Sequence, residues 1–292
     1  MSNAFLPPAT QPQPAIGEII KEAKQLTAEQ IEQVMALQRE KGLRFGEAAV
    51  TLGFISREDV LWALSRQFNY TYAPAEVEQL NTSLVAAVNP FSTEAEYFRE
   101  ARSNLLAGVW SDAALKGQCK VLSVVSPDRG DGRSVFAANL AITFSQMGER
   151  TLLLDADMRS GGLASLMGVV VRDGLSGALA RKHEPVVIQP LSTLPHLYML
   201  PSGVIPPNPL ELLLNQRSFD VLLAMLRERF STIIIDTPAA SAGADWKVIS
   251  AVSGAALAMA VKGQTRMRPL KDLTKFAKLN VRDFAGVVMR EQ

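Results

Sequence analysis

The sequence is poor in the residues that build covalent or metal-held scaffolds. Its 292 residues include one cysteine, Cys119, and two histidines, His183 and His196. A single thiol excludes a disulfide framework, and so few soft ligands exclude a cysteine- or histidine-built zinc site. Neither sign of charge is in surplus: 30 Lys and Arg face 29 Asp and Glu. Residues 1–90 carry 7 basic and 10 acidic side chains and the rest 23 and 19, so no segment has the basic excess that a nucleic-acid partner demands. Long apolar runs are missing too. The most apolar stretch, Ala255–Val261, falls far short of the ~20 residues of a spanning helix. The opening MSNAFLPPATQPQPA has neither the basic start nor the apolar stretch of a secretion signal, and a cytoplasmic protein is expected. What is present is core material. With 48% hydrophobic and 20% charged residues the chain is not wholly disordered, and its length favours two domains or one large one.

Four regions differ in composition. Residues 1–14 are rich in Pro, Gln and Ala and read as a disordered tail. Residues 15–75 read as a helical module with an internal repeat at a 29-residue offset. IGEII (16–20) aligns with FGEAA (45–49), and QLTAEQIEQVMALQ (25–38) with FISREDVLWALSRQ (54–67). Thr27 with Gln30, and Ser56 with Asp59, are helix-start signals in which a hydroxyl caps the first turn. Residues 76–90 read as a linker ending at Asn89-Pro90. From residue 91 onward, short apolar runs alternate with helical patterns. Runs at 120–125, 151–154, 197–200, 232–235, 255–261 and 285–289 suit strands buried on both faces, hence an α/β fold with a mostly parallel sheet flanked by helices. Helices are expected at 94–106, 134–147, 210–229 and 267–278.

Three strand ends carry chemistry. The run VLSVVSPDRGDGRSVF (121–136) passes from strand to glycine loop to helix. Such a loop lets Gly130, Asp131, Gly132, Arg133, Ser134 and Val135 turn backbone N–H groups towards phosphates at a helix N-terminus, with the Ser134 hydroxyl available to Mg²⁺. It departs from G-x-x-x-x-G-K-[ST] in having Pro127 for the first glycine and Arg133 for the lysine, and an ordinary βα turn is the alternative reading of this loop alone. The second strand ends in LLLDADMR, with Asp155 and Asp157 at the carboxyl edge where parallel sheets bind ligands; an exposed Asp-rich turn is the alternative. The third ends in IIIDTP, where Asp236 is placed to hold Mg²⁺ through water. The three in order point to nucleotide binding with Mg²⁺ at the phosphates.

These three motifs resemble the Walker A, A′ and B elements of bacterial tyrosine kinases, members of the deviant P-loop group that includes the ParA and MinD ATPases. PSGVIPPNPLELL (201–213) resembles the family's G-x-x-PPNP-x-ELL segment, and Glu96, Arg99 and Arg102 fit its E-x₂-R-x₂-R helix. The resemblance covers residues 91–292 and is strongest to the EpsG-type autokinases of exopolysaccharide operons. It implies a P-loop kinase domain in which Asp155 acts as base towards a tyrosine hydroxyl, Asp157 and Arg133 assist, and Ser134 and Asp236 hold Mg²⁺. It also implies docking of subunits through Glu96, Arg99 and Arg102, and a membrane chain-length determinant as adaptor at the inner membrane. The segment RFGEAAVTLGFISREDVLWALSRQ (44–67) resembles the domain that opens type II secretion and pilus ATPases. That likeness implies either a protein-docking module or a cyclic di-GMP site using Arg44, Gly46, Gly53 and Gln67.

The family pattern is not followed throughout. No tyrosine cluster follows GVVMREQ; the tyrosines are Tyr70, Tyr72, Tyr97 and Tyr198, of which Tyr70 and Tyr72 are candidate acceptors. Arg290 stands where relatives often carry an asparagine near the adenine, and Arg133 replaces the lysine that would stabilise a transferring phosphoryl group. The leading expectation is therefore an ATP-Mg²⁺-dependent tyrosine autokinase that regulates exopolysaccharide chain length or export. Its alternative is a catalytically weak nucleotide-binding scaffold of the same system. A ParA/MinD-like positioning ATPase ranks third, because Asp128 occupies the place of its second P-loop lysine.

Overall fold

The computed structural model describes residues 16–67, 80–112, 117–180, 186–215 and 218–291, which divide into two compact units at Tyr72/Ala73. The first unit holds α1 (Ile16–Lys24), α2 (Ala28–Lys41), α3 (Phe45–Thr51) and α4 (Arg57–Gln67). Helices α3 and α4 begin 29 residues after α1 and α2, the offset of the sequence repeat. Thr27 and Gln30 form a reciprocal capping box at α2. Ser56 and Asp59 do the same at α4, where the Asp59 amide donates to the Ser56 hydroxyl at 3.1 Å and the Ser56 amide to the Asp59 carboxylate at 2.9 Å. Ile20, Val34, Ala48, Ala49 and Ala63 form the core of this unit.

The second unit begins with α5 (Val85–Val88) and α6 (Thr93–Ala107). Thus part of the connecting stretch is folded: Leu84 and Ala86 are fully buried, and the Asn139 side chain accepts from the Ala86 amide. The chain continues through β1 (Lys120–Val125), α7 (Arg133–Ser145), β2 (Thr151–Asp155), α8 (Leu163–Leu166), α9 (Leu175–Ala180), β3 (Gln189–Pro190) and β4 (Leu197–Leu200). It ends with α10 (Pro209–Leu214), α11 (Ser218–Arg227), β5 (Thr232–Asp236), α12 (Asp245–Ser253), β6 (Ala255–Val261), α13 (Met267–Asn280) and β7 (Asp283–Arg290). The strands form one sheet in the order β3-β4-β2-β5-β1-β6-β7, parallel except at the β3–β4 edge. Strands β1, β2 and β5 are apolar on both faces because helices cover both. Leu122, Val124, Leu153 and Ile234 meet Phe136, Leu140 and Phe144 of α7 on one side. Val121, Leu152, Ile233 and Ile235 meet Phe219, Leu222 and Leu223 of α11 on the other. Among the described residues no helix is long and apolar enough to cross a membrane.

The chain departs from the sequence expectation in five further places. The single helix expected at 210–229 is two, because Asn215 leaves helical geometry (φ −59°, ψ 108°) while the Ser218 hydroxyl donates to the Leu212 carbonyl. Helix α12 and the short α8 and α9 were not foreseen, nor was the two-residue strand β3.

Candidate functional site

Parallel register brings the three sequence motifs together. Asp155 and Asp236 are cross-strand partners at the ends of β2 and β5, and Val124 of β1 is the partner of Asp236 on the other side. The P-loop springs from β1 one residue later. Gly130 and Gly132 adopt left-handed φ values of 84° and 86°, which a side chain would strain, and Gly132 is the N-cap of α7. The loop is fixed by its own side chains. Both carboxylate oxygens of buried Asp131 are used, accepting from the Asp128 amide at 2.8 Å and the Thr265 hydroxyl at 2.8 Å. Asp131 is therefore a structural member of the loop, and its carboxylate does not face a ligand. Behind β5, the amides of Ala240 and Ser241 donate to the carbonyls of Ser126 and Pro127.

The carboxylates are not equivalent. Asp236 is buried with no hydrogen bond of good geometry to either oxygen, the Ser134 hydroxyl and the Thr237 amide being the donors that bear on it; Oδ2 of Asp155 likewise has no partner. Burial pushes Asp236 up to about 6, opposed chiefly by the Arg133 guanidinium. Burial, followed by the Asp236 charge, pushes Asp155 well above the ordinary carboxylate range. Asp157, by contrast, is satisfied. Its Oδ1 accepts from the amides of Arg159 and Ser160, and its Oδ2 from the Ser160 hydroxyl, so it caps a turn. Arg159 in turn grips Asp245 at the start of α12 with two bonds of 2.7 and 3.2 Å, a partner that sequence alone did not reveal.

Arg133 is 6% exposed and turned into the protein. Its Nε donates to the Thr237 carbonyl at 2.9 Å and its Nη1 to the Asp128 carbonyl at 3.0 Å and to the Ser126 hydroxyl, while Nη2 lies 4.0 Å from Asp157. It is thus a cross-brace between the P-loop and the end of β5. Arg290, at the end of β7, reaches the loop that Arg133 only braces from within. Its guanidinium lies 3.7–3.9 Å from where a Cβ of Gly132 would stand.

The arrangement fits a Mg²⁺-nucleotide. Unpartnered carboxylate oxygens at two adjacent strand ends would be costly without a cation, and the glycine nest at the N-terminus of α7 suits phosphate. Among the described residues no group of three or more His, Cys, Asp or Glu side chains could hold a metal by itself. An ion here must draw on phosphate and water, as Mg²⁺ does.

The remaining expected residues lie elsewhere. Glu96, Arg99 and Arg102 share α6; Arg99 pairs with Glu96 at 2.8 Å and also donates to the Pro90 carbonyl, and Arg102 donates to the Thr143 carbonyl. Of the three, only Glu96 extends into solvent, with its side chain 68% exposed. In the helical module Gly46 is a packing residue, since a Cβ there would meet Val60 at 2.9 Å, and Gly53 closes the turn after α3 at φ 73°. Arg44 is exposed and its amide donates to Glu47, while Gln67 ends α4. Tyr97 is exposed on α6, Tyr198 is packed edge-on against Phe230, and Tyr70, Tyr72 and His183 lie outside the described residues.

A glycine nest on a parallel sheet, facing two buried carboxylates, defines a P-loop nucleotide-binding domain. No family model matches the chain. Individual relatives do. The chain is 34% identical over 179 residues to the tyrosine-protein kinase Wzc of Salmonella typhimurium, covering 61% of this chain and 24% of that protein. It is 30% identical over 191 residues to the tyrosine-protein kinase YwqD of Bacillus subtilis, covering 64% of this chain and 76% of that one. Among solved structures, the kinase domain of the Escherichia coli tyrosine kinase ETK superposes with a TM-score of 0.65 at 25% identity, covering 71% and 79% of the two chains. The septum-site-determining protein MinD of Pyrococcus horikoshii, solved with Mg-ADP, shares the fold at a TM-score of 0.50 and 21% identity, covering 59% and 70%. The chain belongs to the bacterial tyrosine-protein kinase family. It spans about a quarter of the length of Wzc and about three quarters of YwqD. The resemblance of the helical module to secretion-ATPase domains, and cyclic di-GMP as its ligand, find no support in these likenesses.

Proposed function

We propose that the chain is an ATP-Mg²⁺-dependent protein tyrosine kinase that phosphorylates tyrosines on copies of itself and acts in exopolysaccharide chain-length control. The observation that carries the reading is the pair of buried carboxylates at neighbouring strand ends, Asp155 and Asp236, with oxygens left without a well-formed hydrogen bond beside the glycine nest. Bound Mg²⁺ would neutralise charge that develops on the transferring phosphoryl group. Asp236 and Ser134 are the residues to hold it. The amides of Gly130 to Val135 orient the phosphates, and Asp155 accepts the proton of the tyrosine hydroxyl at its free Oδ2. Burial and the neighbouring Asp236 charge raise its affinity for protons, which makes it a stronger base than a solvated carboxylate. Asp157 contributes by fixing the turn that places Arg159 and Ser160.

The partner in this reading is a membrane chain-length determinant protein, which would hold the chain at the inner membrane, with like subunits meeting through the Glu96 face of α6. Residues 91–292 serve as the kinase domain and 15–75 as a docking module. Incubating the purified chain with ATP and Mg²⁺ and mapping phosphotyrosine by mass spectrometry tests the reading. Phosphotyrosine that disappears in Asp155→Asn is expected; ATP turnover without any phosphotyrosine would replace it with a positioning ATPase.

A further inference from the structure

We infer that Arg290 of β7 supplies the cation over the terminal phosphates of the nucleotide, and that Arg133, at the conventional lysine position, is a structural brace. This rests on the nucleotide-site reading above. The assignment follows from where each guanidinium is committed. Arg133 is buried and donates to the Thr237 and Asp128 carbonyls and the Ser126 hydroxyl. To reach a ligand above the loop it would have to leave those three partners, stranding buried carbonyls. Arg290 is exposed, forms no ion pair among the described residues, and has its guanidinium beside Gly132, the N-cap of the phosphate-binding helix.

Its placement is built into the fold. Strand β7 pairs with β6, with one register shift between Ala256 and Ala258, setting Arg290 opposite Val261, and the Lys262 amide donates to the Arg290 carbonyl at 2.9 Å. The loop after β6 is in turn bonded to the P-loop through Thr265 to Asp131 and Arg266 to Asp128. The same loop sets the side-chain Nε2 of Gln264 3.7 Å from the Cβ position of Gly130. Both left-handed glycines of the nest are thus roofed by polar side chains, one of them a guanidinium whose planar fork suits phosphate oxygens.

The test is equilibrium binding of ATP and AMP, with Mg²⁺, to the full chain and to Arg290→Gln and Arg290→Lys, with thermal melting to verify folding. Because Arg290 is exposed at a strand end, both variants are expected to melt with the parent. Arg290→Gln should weaken ATP at least about tenfold, the scale of one charge-assisted contact, and leave AMP unchanged, while Arg290→Lys recovers part of the loss. Equal ATP affinity in Arg290→Gln and the parent overturns the inference and leaves the nucleotide site standing. Equal losses for ATP and AMP overturn it by placing Arg290 on the nucleoside monophosphate portion that the two share. A parent chain that binds neither nucleotide overturns both readings.

Discussion

At the scale of single residues, the site stores electrostatic stress in Asp236. A carboxyl whose folded-state affinity for protons is raised, here to about 6, keeps its proton when the unfolded chain has already lost one. Its contribution to stability is therefore full below about pH 4 and is lost as the pH rises through about 6. The loss is of order 3 kcal/mol, the free energy that separates the ordinary carboxylate range from about 6. In the absence of metal and nucleotide, Asp236→Asn should accordingly melt higher than the parent at pH 8, and the gap should close towards pH 4. With Mg²⁺-ATP added the order should reverse at pH 8, since the amide holds the ion poorly. Melting curves at the two pH values decide it; a variant less stable than the parent in metal-free buffer at pH 8 would refute the electrostatic account. Residue identity at this scale was legible where chemistry repeats locally. D-x-D-x-R and IIIDTP announced their carboxylates. What neighbours them from a distance did not show: Arg159 to Asp245 and Gly132 to Arg290 are contacts between segments 86 or more positions apart, and no local pattern encodes them.

At the scale of elements, the strands read most clearly. Those at 120–125, 197–200 and 255–261 have the bounds that their apolar runs announce, because both faces of each are covered. Strand β3 is only two residues on an antiparallel edge and leaves no period to detect. The break between α10 and α11 is equally silent, since Asn215, Gln216 and Arg217 read as well as the solvent side of one continuous helix. One element boundary carries a sharp steric demand. The turn before α9 lies against the segment after β4, with the amides of Leu175 and Ser176 donating to the carbonyls of Pro201 and Ser202. A Cβ on Gly174 would stand 2.3 Å from the Pro201 carbonyl oxygen, an overlap with backbone that cannot swing away. Gly174→Ala should therefore lower the melting temperature by several degrees, corresponding to a few kcal/mol of overpacking. Gly53→Ala, which meets nothing within 4 Å but must hold φ 73°, should cost only about 1 kcal/mol. Comparable losses in the two variants would show that the close approach relaxes.

At the scale of the molecule, the chain consists of two units with separate cores. The first is built on Ile20, Val34 and Ala63, the second on the two faces of the sheet. A fragment beginning at Ala73 should fold and bind Mg²⁺-ATP with the affinity of the full chain, measured by melting and by nucleotide titration. A fragment that melts non-cooperatively would show that the helical module completes the second unit.

The strand order has a further bearing on how the molecule comes into being. Strand β5 lies between β1 and β2, although more than a hundred residues separate it from β1 in the chain. During synthesis the first and second strands are made early and cannot adopt their final spacing until the fifth arrives between them. Long-range parallel pairing of this kind is slow, because loop closure precedes the contacts that reward it. Asp155 and the glycine nest thus emerge long before Asp236 exists to face them. A nascent chain has no competent site until β5 has threaded home, so nucleotide capture marks the end of folding and cannot seed its beginning.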